Sequence, residues 1–335
     1  MRRSVMFLIF VLVVILFLPD GKNKNQIEIS GYTMGSIPYS LKYIEDDSII
    51  GKKSIDSLLI NFNNIFSTYI RNSEISRLNN SDEKVIEISP SFYKMLYESQ
   101  KIFNVSGGAY DPTIGPVVNA WGFGPDKSKS IPSKNKIDSL LNFVGFDNLE
   151  FDNFSFKKPS SGYYLDFSSI AKGYAVDIIS DFLNSNDLKN YFIEIGGEVK
   201  AAGYKSNGDP WVVGINSPFN DSKLYALSFL TNKSLATSGN YRNFYKSGDS
   251  IIFHTIDPRT GYPSESNMIS ASVFSSSCFT ADAYATAFMV LGFERSKQIL
   301  EMNDEIDGLL IYSNRKEGIK NYISPGILNS VDFVE

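Results

Sequence analysis

At 335 residues the chain can hold one large domain or two smaller ones with a substantial core, and 43% hydrophobic with 21% charged residues is an ordinary globular composition. The net charge of −5 excludes a general nucleic-acid binder, which needs basic surface to displace counterions from phosphate, yet leaves room for one anionic ligand at a local site. A single cysteine, Cys278, and a single histidine, His254, exclude an internal disulfide, a cysteine metal cluster and a multi-histidine zinc site, so any bound metal needs oxygen ligands, which points to Mg²⁺ or Ca²⁺.

The chain opens with Arg2 and Arg3 before an unbroken apolar run, Val5–Leu18, closed by Pro19 and Asp20. A basic start before a short apolar stretch marks a secretory signal or an uncleaved anchor. The run is short for a membrane span of roughly 20 residues. It lacks an A-x-A-like cleavage site and a cysteine for lipidation, which favours an anchor, with a cleaved signal peptide as the rival. The positive-inside rule then keeps the arginines cytoplasmic and puts the body on the extracytoplasmic, periplasmic face of the cytoplasmic membrane. Residues 1–20 are accordingly read as anchor or signal, 21–26 as a polar tether and 27–335 as one folded domain.

Along the body, Ile27–Ser30 and Ile37–Tyr43 read as a strand pair, followed by helices at Ser54–Phe66 and Pro90–Val105, the latter amphipathic through Phe92, Met95, Leu96 and Ile102. Gly107–Gly124 (GGAYDPTIGPVVNAWGFG) is dense in glycine, proline and aromatic residues and reads as a long ordered loop rather than a helix. Further helices are expected over Ser130–Leu141 and after Ser168. Strands are expected at Tyr163–Phe167, Tyr191–Ile195, Trp211–Ile215, Leu224–Leu230, Ser270–Phe274 and Gly308–Tyr312, with Ile319–Ile323 as the last. Strands and helices interleave irregularly, so the expected fold is α+β, with mixed, largely antiparallel sheets and helices packed on them, rather than a doubly wound sheet.

Three stretches break local rules. In Leu165–Asp177 (LDFSSIAKGYAVD) a helix begins with Lys172 in its first turn, where the macrodipole disfavours a cation, and Gly173 inside it. An anion at the helix N-terminus explains both; a surface lysine and a helix-packing glycine explain them equally well. In Thr280–Gly292 (TADAYATAFMVLG), Asp282 and Thr286 share one face of an otherwise small and apolar helix. That pair suits Mg²⁺, or else is a carboxylate near the helix start and a threonine bonded back to its own helix. His254–Pro263 (HTIDPRTGYP) places the lone histidine at the end of the apolar strand Ile251–Phe253, beside a tight polar turn. A lone histidine is commonly structural. Ile193–Gly203 (IEIGGEVKAAG) runs a strand into Gly196-Gly197, and neither G-x-G-x-x-G nor a Walker A lysine occurs in the glycine-rich stretches.

Together with Met34-Gly35, Phe66–Asn79 (FSTYIRNSEISRLN), Tyr110–Pro116 (YDPTIGP), Trp121–Gly124 (WGFG) and Thr237–Phe244 (TSGNYRNF), these segments in this order resemble the ApbE family of FAD:protein FMN transferases. The resemblance covers nearly the whole body, to Gly292. It implies a flavin site between sheet lobes, with FAD lined by Met34, Tyr69, Ala109, Tyr110, Asp111, Asp166, Lys172 and Ile256. It implies Mg²⁺ held by Ser169 through its main-chain carbonyl, Asp282, the Ala285 carbonyl and Thr286, with His254 as the candidate for proton transfer. Ser168 and Ser169 depart from the glycine pair common in the family, which puts the metal geometry in question. The activity implied is Mg²⁺-dependent cleavage of the FAD pyrophosphate and attachment of FMN to a Thr or Ser of an acceptor protein, with release of AMP. The acceptors implied are membrane redox subunits. A flavin carrier without catalysis, an FAD pyrophosphatase and a non-flavin solute-binding lipoprotein are the rivals.

Overall fold

The computed structural model describes residues 25–44, 50–125, 131–239, 244–247 and 250–334. The expected anchor, most of the tether and four residues of the TSGNYRNF motif lie outside the described residues. Among the described residues no helix is long and apolar enough to cross a membrane.

The centre is an eight-stranded sheet whose spatial order is Gln26–Thr33, Ile37–Ile44, Tyr191–Ile195, Glu198–Ala202, Lys233–Gly239, Met268–Ser275, Ile306–Asn314 and Gly318–Ile323. Every neighbouring pair in it is antiparallel. Alternate residues serve two cores, because successive side chains of a strand point to opposite faces. Tyr191, Ile193, Ile195, Ala271 and Val273 face the larger core, where helices Lys52–Phe66, Pro90–Ser106, Ala171–Ser185 and Cys278–Leu291 bury their apolar stripes. Val199, Ala201, Leu235, Phe274 and Leu309 face a second core closed by a three-stranded sheet through Trp211, Ile215, Ala226, Leu230 and Val331. A smaller side lobe gathers Val117, Trp121, Ile137, Ile252 and Ile256.

The α+β architecture and the antiparallel pairing agree with the sequence reading, and four local expectations do not. Tyr163–Phe167 belongs to no strand or helix. Its backbone is satisfied by a side chain instead: Asn79 accepts from Leu165 N and donates to Leu165 O, each at 2.8 Å, while Asp166 N donates to Pro112 O. Gly107–Gly124 is no loop throughout, since it holds a 3-10 turn, Pro112–Ile114, and a helix, Gly115–Ala120. Its prolines sit at helix starts, where a missing N–H costs nothing, and the Asp111 carboxylate caps the turn by accepting from Thr113 N at 2.7 Å. The last strand is Val331–Phe333 rather than Ile319–Ile323. Helix Lys134–Leu141, capped by Ser133, starts later than Ser130, which lies outside the described residues.

Candidate functional site

The site forms where helix Ala171–Ser185 crosses helix Cys278–Leu291, and Gly173 is the reason they can meet. A Cβ on Gly173 would lie 2.5 Å from the Cys278 carbonyl oxygen and 2.8 Å from Asp282 Cβ, so only glycine permits this approach. At that contact Gly173 N donates to Asp282 Oδ2 at 3.0 Å. One turn further along, Thr286 Oγ1 donates to the Ser169 carbonyl at 3.3 Å and lies 3.5 Å from Ser238 Oγ. Asp282 and Thr286 therefore reach across to the Ser169–Gly173 segment, which decides against a threonine bonded to its own helix. Ser168, the other serine of the departing pair, is exposed and donates its N–H to Asp166 Oδ1, leaving the Ser169 carbonyl directed at Thr286.

Lys172 is not a surface lysine. Its Nζ lies 2.6 Å from Glu198 Oε1 and 3.8 Å from Asp282 Oδ1. Both carboxylates are almost fully buried, and Glu198 Oε2 is buried outside any hydrogen bond. Burial acts to lower the Lys172 pKa, but Asp282 and Glu198 outweigh it and hold the ammonium above its ordinary value. Burial raises Asp282 above the usual carboxylate range, against the pull of Lys172 and of the Gly173 N–H. It raises Glu198 to about 7, with Lys172 pulling downward and Asp282 adding to the rise. A cation bound beside these buried carboxylates would favour their ionised form. The oxygens present fit a hard divalent cation: the Asp282 carboxylate, the Thr286 hydroxyl and the Ser169 carbonyl, with Ala285 fully buried on the same helix. Among the described residues no three His, Cys, Asp or Glu side chains gather as a metal site, so hydroxyl and carbonyl oxygens are essential to the set.

The other expected residues lie on several further elements. Met34 lies in the turn joining the first two strands and takes a left-handed backbone (φ 48°), a strained choice for a non-glycine residue. Tyr69 stands 65% exposed on a connection closed by Ser73 Oγ donating to Ser67 O; desolvation and then the Asp166 charge raise its pKa. Asp166 is buried, and that burial raises its carboxyl. Ala109, Tyr110 and Asp111 are buried, with structural work for two side chains: the Tyr110 hydroxyl meets Ser99 Oγ at 3.1 Å, and Asp111 accepts from Thr113 and Phe146 N. Beside them a cleft of about 510 Å³ brings Gly107, Gly108 and Asp111 against Pro258 and Arg259. His254 and Ile256 belong to the side lobe, where the His254 ring lies 6.4 Å from that of Phe123 and Ile256 is buried in a two-residue strand paired with Tyr262–Pro263.

A profile of the ApbE family matches residues 34–310. The chain belongs to the ApbE family. An FAD:protein FMN transferase of Vibrio cholerae serotype O1 is 35% identical over 310 residues, covering 90% of this chain and 92% of the relative. That of Haemophilus influenzae is 35% identical over 318 residues, covering 91% and 92%. The solved flavin transferase ApbE from Vibrio cholerae superposes with a TM-score of 0.82 at 33% identity, over 92% of this chain and 99% of that one.

Two residues of this ApbE-family site escaped the sequence reading. Glu198 was inside a stretch singled out for its glycines, but its own side chain had no role. The signal was present: a two-residue Gly196-Gly197 turn pairs Glu198 with Ile195, and cross-strand partners share a face, so Glu198 must point inward with Ile193 and Ile195. Asp177 sat in the LDFSSIAKGYAVD stretch, yet no local pattern shows that it caps a helix a hundred residues away. It accepts from Cys278 N at 3.1 Å, Phe279 N at 2.9 Å and Ser277 Oγ at 2.8 Å, and pairs with Lys200 at 2.6 Å.

Proposed function

We propose that this chain is an FAD:protein FMN transferase that uses Mg²⁺ and attaches FMN through a phosphoester to a Ser or Thr of its acceptor. The observation that carries this reading is the junction of Lys172, Asp282, Thr286 and the Ser169 carbonyl. In the transfer, the acceptor's hydroxyl oxygen bonds to the phosphorus of the FMN half, the pyrophosphate P–O bond to the AMP half breaks, and AMP leaves. No covalent nucleophile within this chain is needed. Lys172 presents its ammonium to the pyrophosphate from the first turn of its helix, while Met34, Tyr69, Ala109–Asp111, Asp166 and Ile256 hold the rest of FAD. Mg²⁺ on Asp282, Thr286 and the Ser169 and Ala285 carbonyls would neutralise the charge developing on the leaving phosphate. His254 takes the acceptor's hydroxyl proton, a role open to an imidazole near neutral pH.

The test mixes the chain with FAD, Mg²⁺ and a candidate acceptor and weighs the acceptor. A gain of one FMN that requires Mg²⁺ is expected; free FMN with an unmodified acceptor would make the protein an FAD pyrophosphatase. Asp282→Ala is expected to lose the metal-dependent transfer, and full activity would sink the ligand assignment. His254→Ala is expected to slow transfer by about 10²–10⁴-fold, the usual worth of a general base; unchanged turnover across pH removes it from that role.

The acceptors proposed are membrane redox subunits exposed outside the cytoplasmic membrane, because Arg2, Arg3 and the apolar Val5–Leu18 would tether the body on that side. The full-length chain should then sediment with membranes and be digested by protease added to spheroplasts. Recovery in the soluble cytoplasm, protected from protease, would overturn this placement.

A further inference from the structure

Asp282 has two oxygens with different duties. Oδ2 accepts from Gly173 N and is tied to the partner helix, which leaves Oδ1, the oxygen facing Lys172, as the one able to meet a cation from solution. A half-buried ammonium this near would ordinarily close on that carboxylate and compete with a metal for it. It does not close: Lys172 Nζ sits 2.6 Å from Glu198 Oε1 and 3.8 Å from Asp282 Oδ1. Glu198 is well placed to win the ammonium, because it stands at the start of a strand inside the main sheet, fixed by the Gly196-Gly197 turn. Gly196, in the same turn, leaves room for the lysine stem. Its backbone is left-handed (φ 59°), and a Cβ there would lie 3.2 Å from Lys172 Cδ and 2.7 Å from Ile37 Cγ2. The lysine stem thus runs along the Gly196-Gly197 hairpin toward Glu198, whose Oε2 is buried without a hydrogen bond.

We infer that Glu198 is a positioning residue of the metal site: by holding the Lys172 ammonium at hydrogen-bond distance, it keeps that cation out of direct contact with Asp282 Oδ1 and leaves that oxygen open to a divalent cation. This rests on the reading of Asp282 as a metal ligand.

The experiment titrates the full-length chain with Mg²⁺ alone, without flavin, by calorimetry at fixed pH and ionic strength. Glu198→Gln keeps the shape and removes the charge that holds the lysine, and should weaken Mg²⁺ by about tenfold, the scale expected of one close charge at a partly screened site. Glu198→Asp keeps the charge but withdraws it by a methylene, and should weaken Mg²⁺ comparably. Replacing the competing cation in the double variant Lys172→Met, Glu198→Gln should restore affinity to within about threefold of wild type, a coupling that a merely structural glutamate would not show. Wild-type affinity in Glu198→Gln, or a double variant as weak as Glu198→Gln, overturns the inference. Wild-type affinity in Glu198→Asp alone reduces the effect to a count of charges and overturns the positioning role. Mg²⁺ binding in the wild type that Asp282→Ala leaves unchanged overturns instead the metal reading on which it rests.

Discussion

Gly173 is the residue on which the site's geometry turns. As a glycine within a helix it forfeits roughly 1 kcal/mol relative to alanine, so Gly173→Ala would stabilise the protein if propensity alone counted. The alanine methyl, however, would meet backbone of the neighbouring helix at 2.5 Å, and backbone cannot rotate aside. Overpacking of this kind costs about 1–3 kcal/mol, and the overlap wins. Gly173→Ala is expected to lower stability in urea and to weaken the Gly173 N–H contact to Asp282; a variant as stable as wild type would show that the helices part freely. The sequence marked this glycine and the adjacent lysine as odd, and it placed Asp282 and Thr286 on one helical face. It could not say what the oddities were for, because Gly173 answers to a carbonyl more than a hundred residues along the chain.

At the scale of elements, the helix bearing Asp282 and Thr286 is set in place by its N-terminus. Ser277 caps it by accepting from Thr280 N, and Asp177 adds a carboxylate that takes two more of the free N–H groups of its first turn. The same carboxylate neutralises Lys200, itself largely buried. Asp177→Ala would strand that cation and leave the helix donors without partners, and breaking a buried pair from one side costs about 3–5 kcal/mol. Denaturant unfolding should register a loss of that order, with Asp177→Asn milder because an amide oxygen can still accept. A cost under about 1 kcal/mol for the alanine variant would mean that water replaces the cap. Helix periodicity made both helices legible. The clamp between them was not, since its members lie 101 residues apart and obey no common period.

For the whole molecule, the large core of the main sheet and four helices is closed by apolar side chains, and the site lies on a helix crossing already held by the Asp177 cap and the Gly173 contact. Metal removal should therefore abolish transfer without unfolding the chain, unlike small domains that fold only around their metal. A chelated sample is expected to keep one cooperative melting transition, shifted only by the mass-action term of the lost ligand, and to regain transfer when Mg²⁺ returns. Loss of cooperative unfolding on chelation would assign the metal a structural role instead. The alternation of apolar residues and the irregular order of elements determined the α+β class, the antiparallel strands and the helices carrying Lys172, Asp282 and Thr286, because those depend on local period. The Tyr163–Phe167 segment has the apolar pattern of a strand but is none, because its hydrogen bonds go to the Asn79 side chain and to a turn, partners that the pattern cannot reveal. Tertiary structure alone decided which lone oddities meet. Lys172 became one member of a buried charge cluster with Glu198 and Asp282, since burial and ion pairing arise only when a sheet hairpin and two helices, distant in the chain, close on one another.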